Sequence, residues 1–366
     1  MSFLHTIEAY EGFDFDAFFA AVESRDVARA LAKEKPGELD LLTLLSPRAA
    51  EALEAMAQRA HRLTVQYFGR TIQLFIPLYI SNYCSNECVY CGFNRRHVIR
   101  RRKLSLKQIE AEAQAIAATG MQHLLLLTGE ALEVTPLDYL EDAVRLLKHY
   151  FASVAIEMFP MRERQYHRLK NAGVDGLTIY QEIYDRQQYA RLHKAGPITN
   201  YRFRLDAPER GAKAGFRMVN IGALMGLGEV RREAFFSGLH ACYLSDNYPQ
   251  TDISISLPRF NSAAGDYKPQ YHADETTFVQ LITALRCFLP RAGITLSTRE
   301  SARFRDHLIR LGVTRYSAGS CTGVGGYAET VPDDTPQFEI TDQRSVRQVV
   351  RAIKDLGYQP VYKDWE

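Results

Sequence analysis

Three cysteines stand close together in the segment SNYCSNECVYCGF, at Cys84, Cys88 and Cys91. Their C-x3-C-x2-C spacing offers three thiolates from one short loop, enough to hold an iron–sulfur cubane while leaving its fourth iron without a protein ligand. That open iron can be chelated by the amino and carboxylate groups of S-adenosylmethionine. One electron from the cluster then cleaves a carbon–sulfur bond and releases a 5′-deoxyadenosyl radical. A structural zinc site is the alternative, but it normally takes four ligands and pairs C-x2-C units. His97 would have to be the fourth. The ligand count therefore favours a [4Fe–4S] cluster with S-adenosylmethionine as its partner.

Such a loop needs a scaffold that sets it opposite the groups it serves. Short apolar runs of strand length occur at 72–80, 123–128, 154–159, 174–180, 218–225, 252–258, 293–298 and 313–317, and helix-patterned segments alternate with them. This alternation predicts an α/β fold, a (β/α)8 barrel of the TIM type. Gly120, Gly173, Gly215, Gly293 and Gly312 precede five of the strands, where helices should stop. Ahead of the barrel the pattern is helical, notably over 47–64, where Leu53, Met56, Ala57, Ala60 and Leu63 recur at spacings of three and four. We read residues 1–70 as a helical extension packed on the barrel, and 71–366 as the barrel with a C-terminal tail. Reactive groups in such barrels gather at the carboxyl ends of the strands. The polar residues there are Cys84, Glu130, Gln181, Glu182, Arg259, Arg299, Glu300, Ser317 and Ser320.

Bulk properties exclude several other classes. With 46% hydrophobic and 24% charged residues and a formal net charge of +2, the chain reads as globular rather than disordered, and nothing in it calls for nucleic acid or a membrane surface. The N-terminus lacks a basic start followed by an apolar core, and no apolar run is long enough to span a bilayer. Cys242, Cys287 and Cys321 are scattered, a poor layout for disulfides, and read as small buried apolar residues in a reducing cytoplasm. The basic run Arg95, Arg96, Arg100, Arg101, Arg102 and Lys103 reads as a solvated loop, with a partner-docking patch as the alternative.

The cysteine spacing, with aromatic Tyr90 before its third member, resembles the radical S-adenosylmethionine superfamily. LLLLTGE, ending Thr128-Gly129-Glu130, is similar to that superfamily's Gly-Gly-Glu element, which meets the cofactor's ammonium. Arg204, in RFRLDAPER, resembles the arginine that pairs with the cofactor carboxylate, and NIGALMGL resembles the glycine-containing strand end beside adenine and ribose. The resemblance assigns Tyr90, Thr128, Gly129, Glu130, Glu182 and Arg204 to the cofactor. Over nearly the whole chain it is strongest to the 2-iminoacetate synthase family, the tyrosine lyases of thiamine biosynthesis, through PLYISNYCSNECVYCGF, HLLLLTGE, YQEIY, LSTRE, SAGS, GGYAE and VYKDW. Tryptophan lyase and the tyrosine lyase of hydrogenase maturation are relatives. The latter carries a second cluster domain, for which no cysteine beyond Cys321 is present here.

An amino-acid lyase must clamp a zwitterion while leaving its amine open to the radical. Arg299 is the natural bidentate partner of the substrate carboxylate. The resemblance adds Ser317 and Tyr79 as hydrogen-bonding neighbours of carboxylate and amine. It implies removal of a hydrogen atom from the deprotonated amino group of L-tyrosine, then Cα–Cβ cleavage to p-cresol and 2-iminoacetate, which thiazole formation uses. The phenol's partner stays open among Glu182, Gln181, Arg259 and the histidines. Water must be kept out, and GGYAE with the chain end reads either as a lid hinged at Gly325 and Gly326 or as a plain surface loop. Thiazole synthase and a flavodoxin- or ferredoxin-type reductant are the implied partners. The competing reading of another class is an iron–sulfur electron-transfer or scaffold protein.

Overall fold

The computed structural model describes residues 2–329 and 335–363. Its strands are β1 (Thr71–Ser81), β2 (His123–Thr128), β3 (Ser153–Glu157), β4 (Gly176–Thr178), β5 (Met218–Gly222), β6 (Asp252–Ser256), β7 (Gly293–Leu296), β8 (Arg315–Ser317) and β9 (Gln359–Val361). The first eight pair in parallel in chain order, and β1 closes the ring by pairing with both β2 and β8. The expected barrel is therefore the observed one. β9 is an addition the sequence reading lacked, and it pairs with the first residues of β1, from Thr71↔Gln359 to Gln73↔Val361. β4 is shorter than its apolar run, although Asp175 donates to the Val154 carbonyl on β3 (3.1 Å) and, beyond Thr178, Ile179 and Gln181 still donate to the Asn220 and Gly222 carbonyls on β5 (2.9 Å each).

Strand period explains which side chains reach the centre. In β1, Ile72, Leu74, Ile76, Leu78 and Ile80 are all buried on the outer face, whereas Gln73, Phe75, Pro77 and Tyr79 line the interior. Barrel interiors are usually filled by branched aliphatics. Here Gln73, His123, Ser153, Thr178, Asn220 and Thr295 join Phe75, Leu125 and Ala155 in lining a continuous well that opens at the carboxyl ends.

Four of the five expected helix stops have positive φ, at Gly120, Gly173, Gly215 and Gly312. Gly293 differs: it opens β7, where a Cβ would come 2.9 Å from that of Ser254. The segment ahead of β1 is helical, although 47–64 divides into a 3-10 turn, Pro47–Ala52, and an α-helix, Leu53–Phe68. This segment is fastened to the barrel's outer helices. Gln280 donates to the carbonyls of Leu44 (2.9 Å) and Ser46 (2.7 Å), and Arg231 to that of Leu45 (2.6 Å). Among the described residues no helix is long and apolar enough to cross a membrane.

Candidate active site

The loop after β1 carries all three motif cysteines, and its shape is set by one guanidinium. Arg101 donates to the carbonyls of Asn82 (2.6 Å), Phe93 (2.9 Å) and Asn94 (2.6 Å), gathering both ends of the loop around a single point. Arg102 reaches the carbonyl of Val324 and Lys103 that of Val134, while Arg95 and Arg96 both pair with buried Glu87. The basic run is thus solvent-exposed at Arg95, Arg96, Arg100 and Lys103, as expected, while half-buried Arg101 and Arg102 brace the loop from within.

All six cysteines are free. Burial pushes the Cys84 and Cys88 thiols up and carries Cys91 to about 12, with neighbouring thiols adding to the effect at Cys88 and Cys91. Such thiols become thiolates when a cation compensates them. Among the described residues no three His, Cys, Asp or Glu side chains converge on one point as ligands of a single ion. Zinc would require that convergence. In a cubane each thiolate takes its own iron, so three spread cysteines lining one cavity fit the cluster.

β2 ends against this loop. Gly129 donates to the carbonyl of Ser81 (3.0 Å), and Ser85 to that of Glu130 (2.7 Å). A Cβ on Gly129 would lie 2.3 Å from the Tyr83 oxygen, so the approach is open to glycine alone. The Glu130 carboxylate accepts from Asn86 (2.6 Å) and is raised by burial. Thr128 bonds its own strand end through the carbonyl of Gly129. Across the cavity, Arg204 donates to Glu182 (2.7 Å) and to the carbonyl of Tyr180 (2.7 Å), and is only 8% exposed. Glu182 holds a left-handed backbone, φ 70°, outside the usual range for its type. Burial raises its carboxyl and Arg204 partly offsets that. Tyr90 lies 2.8 Å from Nε2 of His193, whose Nδ1 lies 2.8 Å from the carbonyl of Tyr189. A carbonyl only accepts, so Nδ1 carries the proton and the Tyr90 hydroxyl donates to Nε2. Burial holds His193 neutral, down to about 3.

The third group faces these two from the β7 and β8 ends. The Arg299 guanidinium stacks 3.4 Å from the Phe338 ring centroid and donates to no described residue. Burial lowers its pKa, opposed by Tyr79, Tyr180, Glu157 and Glu182. The buried Ser317 hydroxyl also lacks a partner among the described residues. Tyr79 donates to the Gln337 side chain (2.7 Å).

Gln337 and Phe338 belong to a strap, residues 335–345, that crosses the barrel mouth. Its Gln337 carbonyl accepts from Gly92 (3.3 Å), where a Cβ would come 2.8 Å from that oxygen. Its far end is anchored where fully buried Arg305 meets Asp342 and the carbonyl of Ser317 (2.5 Å). No local period betrays this strap in the sequence. Glu157, at the end of β3, was missed for a different reason: it sits in an apolar run and reads as a strand residue, yet it lines the well.

Several strand-end residues stay outside. Arg259 pairs with Glu300 (2.9 Å) and with the carbonyl of Ala273, and Gln181 does not line the cavity. The GGYAE stretch is fastened rather than hinged: Glu112 accepts from the backbone of Gly326, Tyr327 (2.7 Å) and Ala328, and Tyr327 donates to the carbonyl of Pro77. The chain end expected to join it, Asp364 and Trp365, lies outside the described residues.

Comparison with known proteins gives a consistent picture. The Radical SAM superfamily model matches residues 78–235, and the Biotin and Thiamin Synthesis associated domain matches 256–359. The chain is 40% identical over 342 residues to the 2-iminoacetate synthase of Escherichia coli (strain K12), covering 93% of this chain and 90% of that protein. The Salmonella typhimurium 2-iminoacetate synthase matches equally. Among solved structures, the [FeFe]-hydrogenase maturase HydG superposes with a TM-score of 0.90 at 30% identity, over 95% of this chain and 79% of that one. With this identity across nearly its full length, and a cysteine loop, cofactor face and free guanidinium around one well, the chain belongs to the 2-iminoacetate synthase family of radical S-adenosylmethionine enzymes.

Proposed function

We propose that the protein is a lyase that cleaves the Cα–Cβ bond of L-tyrosine, giving 2-iminoacetate and p-cresol. The observation that carries this reading is Arg299, a half-buried cation lining the well, whose guanidinium donates to no described residue and lies 3.4 Å from the Phe338 ring centroid. A guanidinium held over an aromatic ring keeps its N–H fork for a carboxylate. Cys84, Cys88 and Cys91 would hold the [4Fe–4S] cluster, and Tyr90, Thr128, Gly129, Glu130, Glu182 and Arg204 would line the S-adenosylmethionine. When bound, these groups supply the 5′-deoxyadenosyl radical. Arg299 orients the amino acid, and Ser317 and Tyr79 offer hydroxyls to its carboxylate and amine. The Gln337–Phe338 strap covers the mouth, which protects an imine that water would destroy.

The product's lability supports direct use by a thiazole synthase, and the cluster calls for a flavodoxin- or ferredoxin-type reductant. Free thiols throughout suit a reducing cytoplasm. The test is anaerobic reconstitution with iron and sulfide, then dithionite, S-adenosylmethionine and either tyrosine or tryptophan. Tyrosine-dependent p-cresol is the expected product; 3-methylindole-2-carboxylate from tryptophan would overturn the substrate assignment, and absence of 5′-deoxyadenosine would favour an electron-transfer role.

A further inference from the structure

The clamp leaves one chemical requirement unmet. A zwitterion enters with an ammonium group, and removing a hydrogen atom from it gives a radical cation, not the neutral aminyl that weakens the Cα–Cβ bond. Something in the well must take a proton first. Most titratable groups around the clamp are already engaged. Glu182 holds Arg204, Glu130 accepts from Asn86, and the Tyr79 hydroxyl donates to Gln337. Burial pushes Tyr79 and Tyr180 up, so both keep their hydroxyl protons; Tyr79 donates to Gln337 and Tyr180 accepts from Asn220 (3.4 Å). His193 is occupied with Tyr90, and His123 sits at the far end of the barrel beside Gln73.

Glu157 is different. It ends β3 with its side chain in the well, and its carboxyl accepts no hydrogen bond and forms no ion pair with any described residue. The charged and titratable groups that face it are Glu182 beyond β4, Arg204 on the helix Tyr201–Leu205, Arg299 beyond β7, Tyr79 on β1 and Tyr180 beyond β4. We propose that Glu157 is the catalytic base that takes the ammonium proton of the bound amino acid, so that a neutral amine faces the radical. The idea rests on the amino-acid lyase reading above. The ionised carboxylate, formed at pH 7 by loss of its own proton to solvent, accepts the proton from nitrogen, and no electron moves.

The electrostatics support the geometry. Burial, and then the charge of Glu182, raise the Glu157 carboxyl to about 8, while Arg299 and Arg204 work against that rise. A carboxyl at its ordinary value would leave the proton on nitrogen. One raised this far competes for it, since proton transfer is most effective between groups of similar pKa. The sign of the pH dependence follows. Below the carboxyl's own ionisation the site already carries a proton, so binding the zwitterion expels about one proton to solvent; above it, the transfer is internal and none is released.

The test uses cluster-loaded protein with S-adenosylmethionine and no reductant, so that tyrosine binds without turnover. Titration calorimetry in two buffers of different ionisation enthalpy at pH 7 reads the protons exchanged. Wild type should release about one, and Glu157→Gln, nearly isosteric, none. Equal proton counts would overturn the proposal. After reduction, Glu157→Gln should make p-cresol about 10²–10⁴-fold more slowly at neutral pH, the range for loss of a general base. The deficit should shrink as pH approaches the ammonium's own ionisation, and Glu157→Asp should recover part of the rate. A Gln variant with wild-type rate and pH profile would sink the idea. Wild-type protein that released its proton yet formed no p-cresol would refute the tyrosine reading and leave this one standing.

Discussion

Replacing Gly129 with alanine tests how the β2 end shapes the cluster loop. The added methyl would lie 2.3 Å from the Tyr83 oxygen, 3.0 Å from its carbonyl carbon and 3.2 Å from the Cys84 Cβ. Ordinary contact begins at 3.4 Å, so the Tyr83 carbonyl must retreat by about 1.1 Å. Neither side retreats alone, because Gly129 is bonded to Ser81 and the next carbonyl to Ser85. The strain has to move Cys84, whose neighbour is the obstructed carbonyl. Ligand positions tolerate displacements of only about 0.2 Å. Overpacking of this kind costs about 1–3 kcal/mol, too little to unfold a typical domain. Gly129→Ala should therefore give a folded apo-protein with a slightly lower melting temperature, but iron and sulfide contents well below wild type after anaerobic reconstitution. A full cluster complement, with an unaltered spectral response to S-adenosylmethionine, would refute the argument that this glycine sets the loop.

Two further substitutions probe the site's supports. His193 stays neutral down to about 3 when folded, against an ordinary value of 6.5, so the unfolded chain takes up its proton first and wild-type stability is lost as pH falls from 6.5 toward 3. His193→Gln should remove that term, gaining about 1.4 kcal/mol on wild type per pH unit in that window by urea denaturation of the apo-protein. Parallel pH curves would count against the assignment. Arg305→Met deletes a fully buried cation facing Asp342, the carbonyl of Ser317 and the Tyr316 ring. Breaking a buried pair costs about 3–5 kcal/mol, and the lower end applies because Arg344 still holds Asp342 (2.8 Å). An unchanged denaturation midpoint would show that the strap's anchor carries no stability.

The parts of this molecule legible in the sequence are those encoded locally. The thiol spacing is fixed within one loop, strand period sets the inward and outward faces of β1, and glycines with positive φ close the helices before four of the strands. Arg299 is legible because it follows a strand that the apolar pattern gives, whereas Arg204 is legible only through the family resemblance of RFRLDAPER. What escaped was decided by tertiary approach. Arg101 looked like one charge in a solvated run, yet its role comes from carbonyls up to 19 positions away. Glu157 hid in an apolar run because local sequence does not say that the barrel interior holds a cavity, which Glu157 lines. Phe338 and Gln337 lie in a stretch without helical or strand period, so nothing local marked them as neighbours of Arg299 and Tyr79. Arg259 and Glu300 were misplaced for the converse reason: both follow strands, but they satisfy each other.

The strap also sets an order of manufacture. Tyr79 and its acceptor Gln337 are 258 residues apart, and the Gly92 amide beside Cys91 depends on the same residue. A nascent chain can therefore expose its three cysteines long before the segment that finishes their loop has been made. Iron and sulfide arriving at that stage would meet an unfinished receptacle. Completion of the cysteine loop therefore waits on a residue 245 positions beyond Gly92 in the chain.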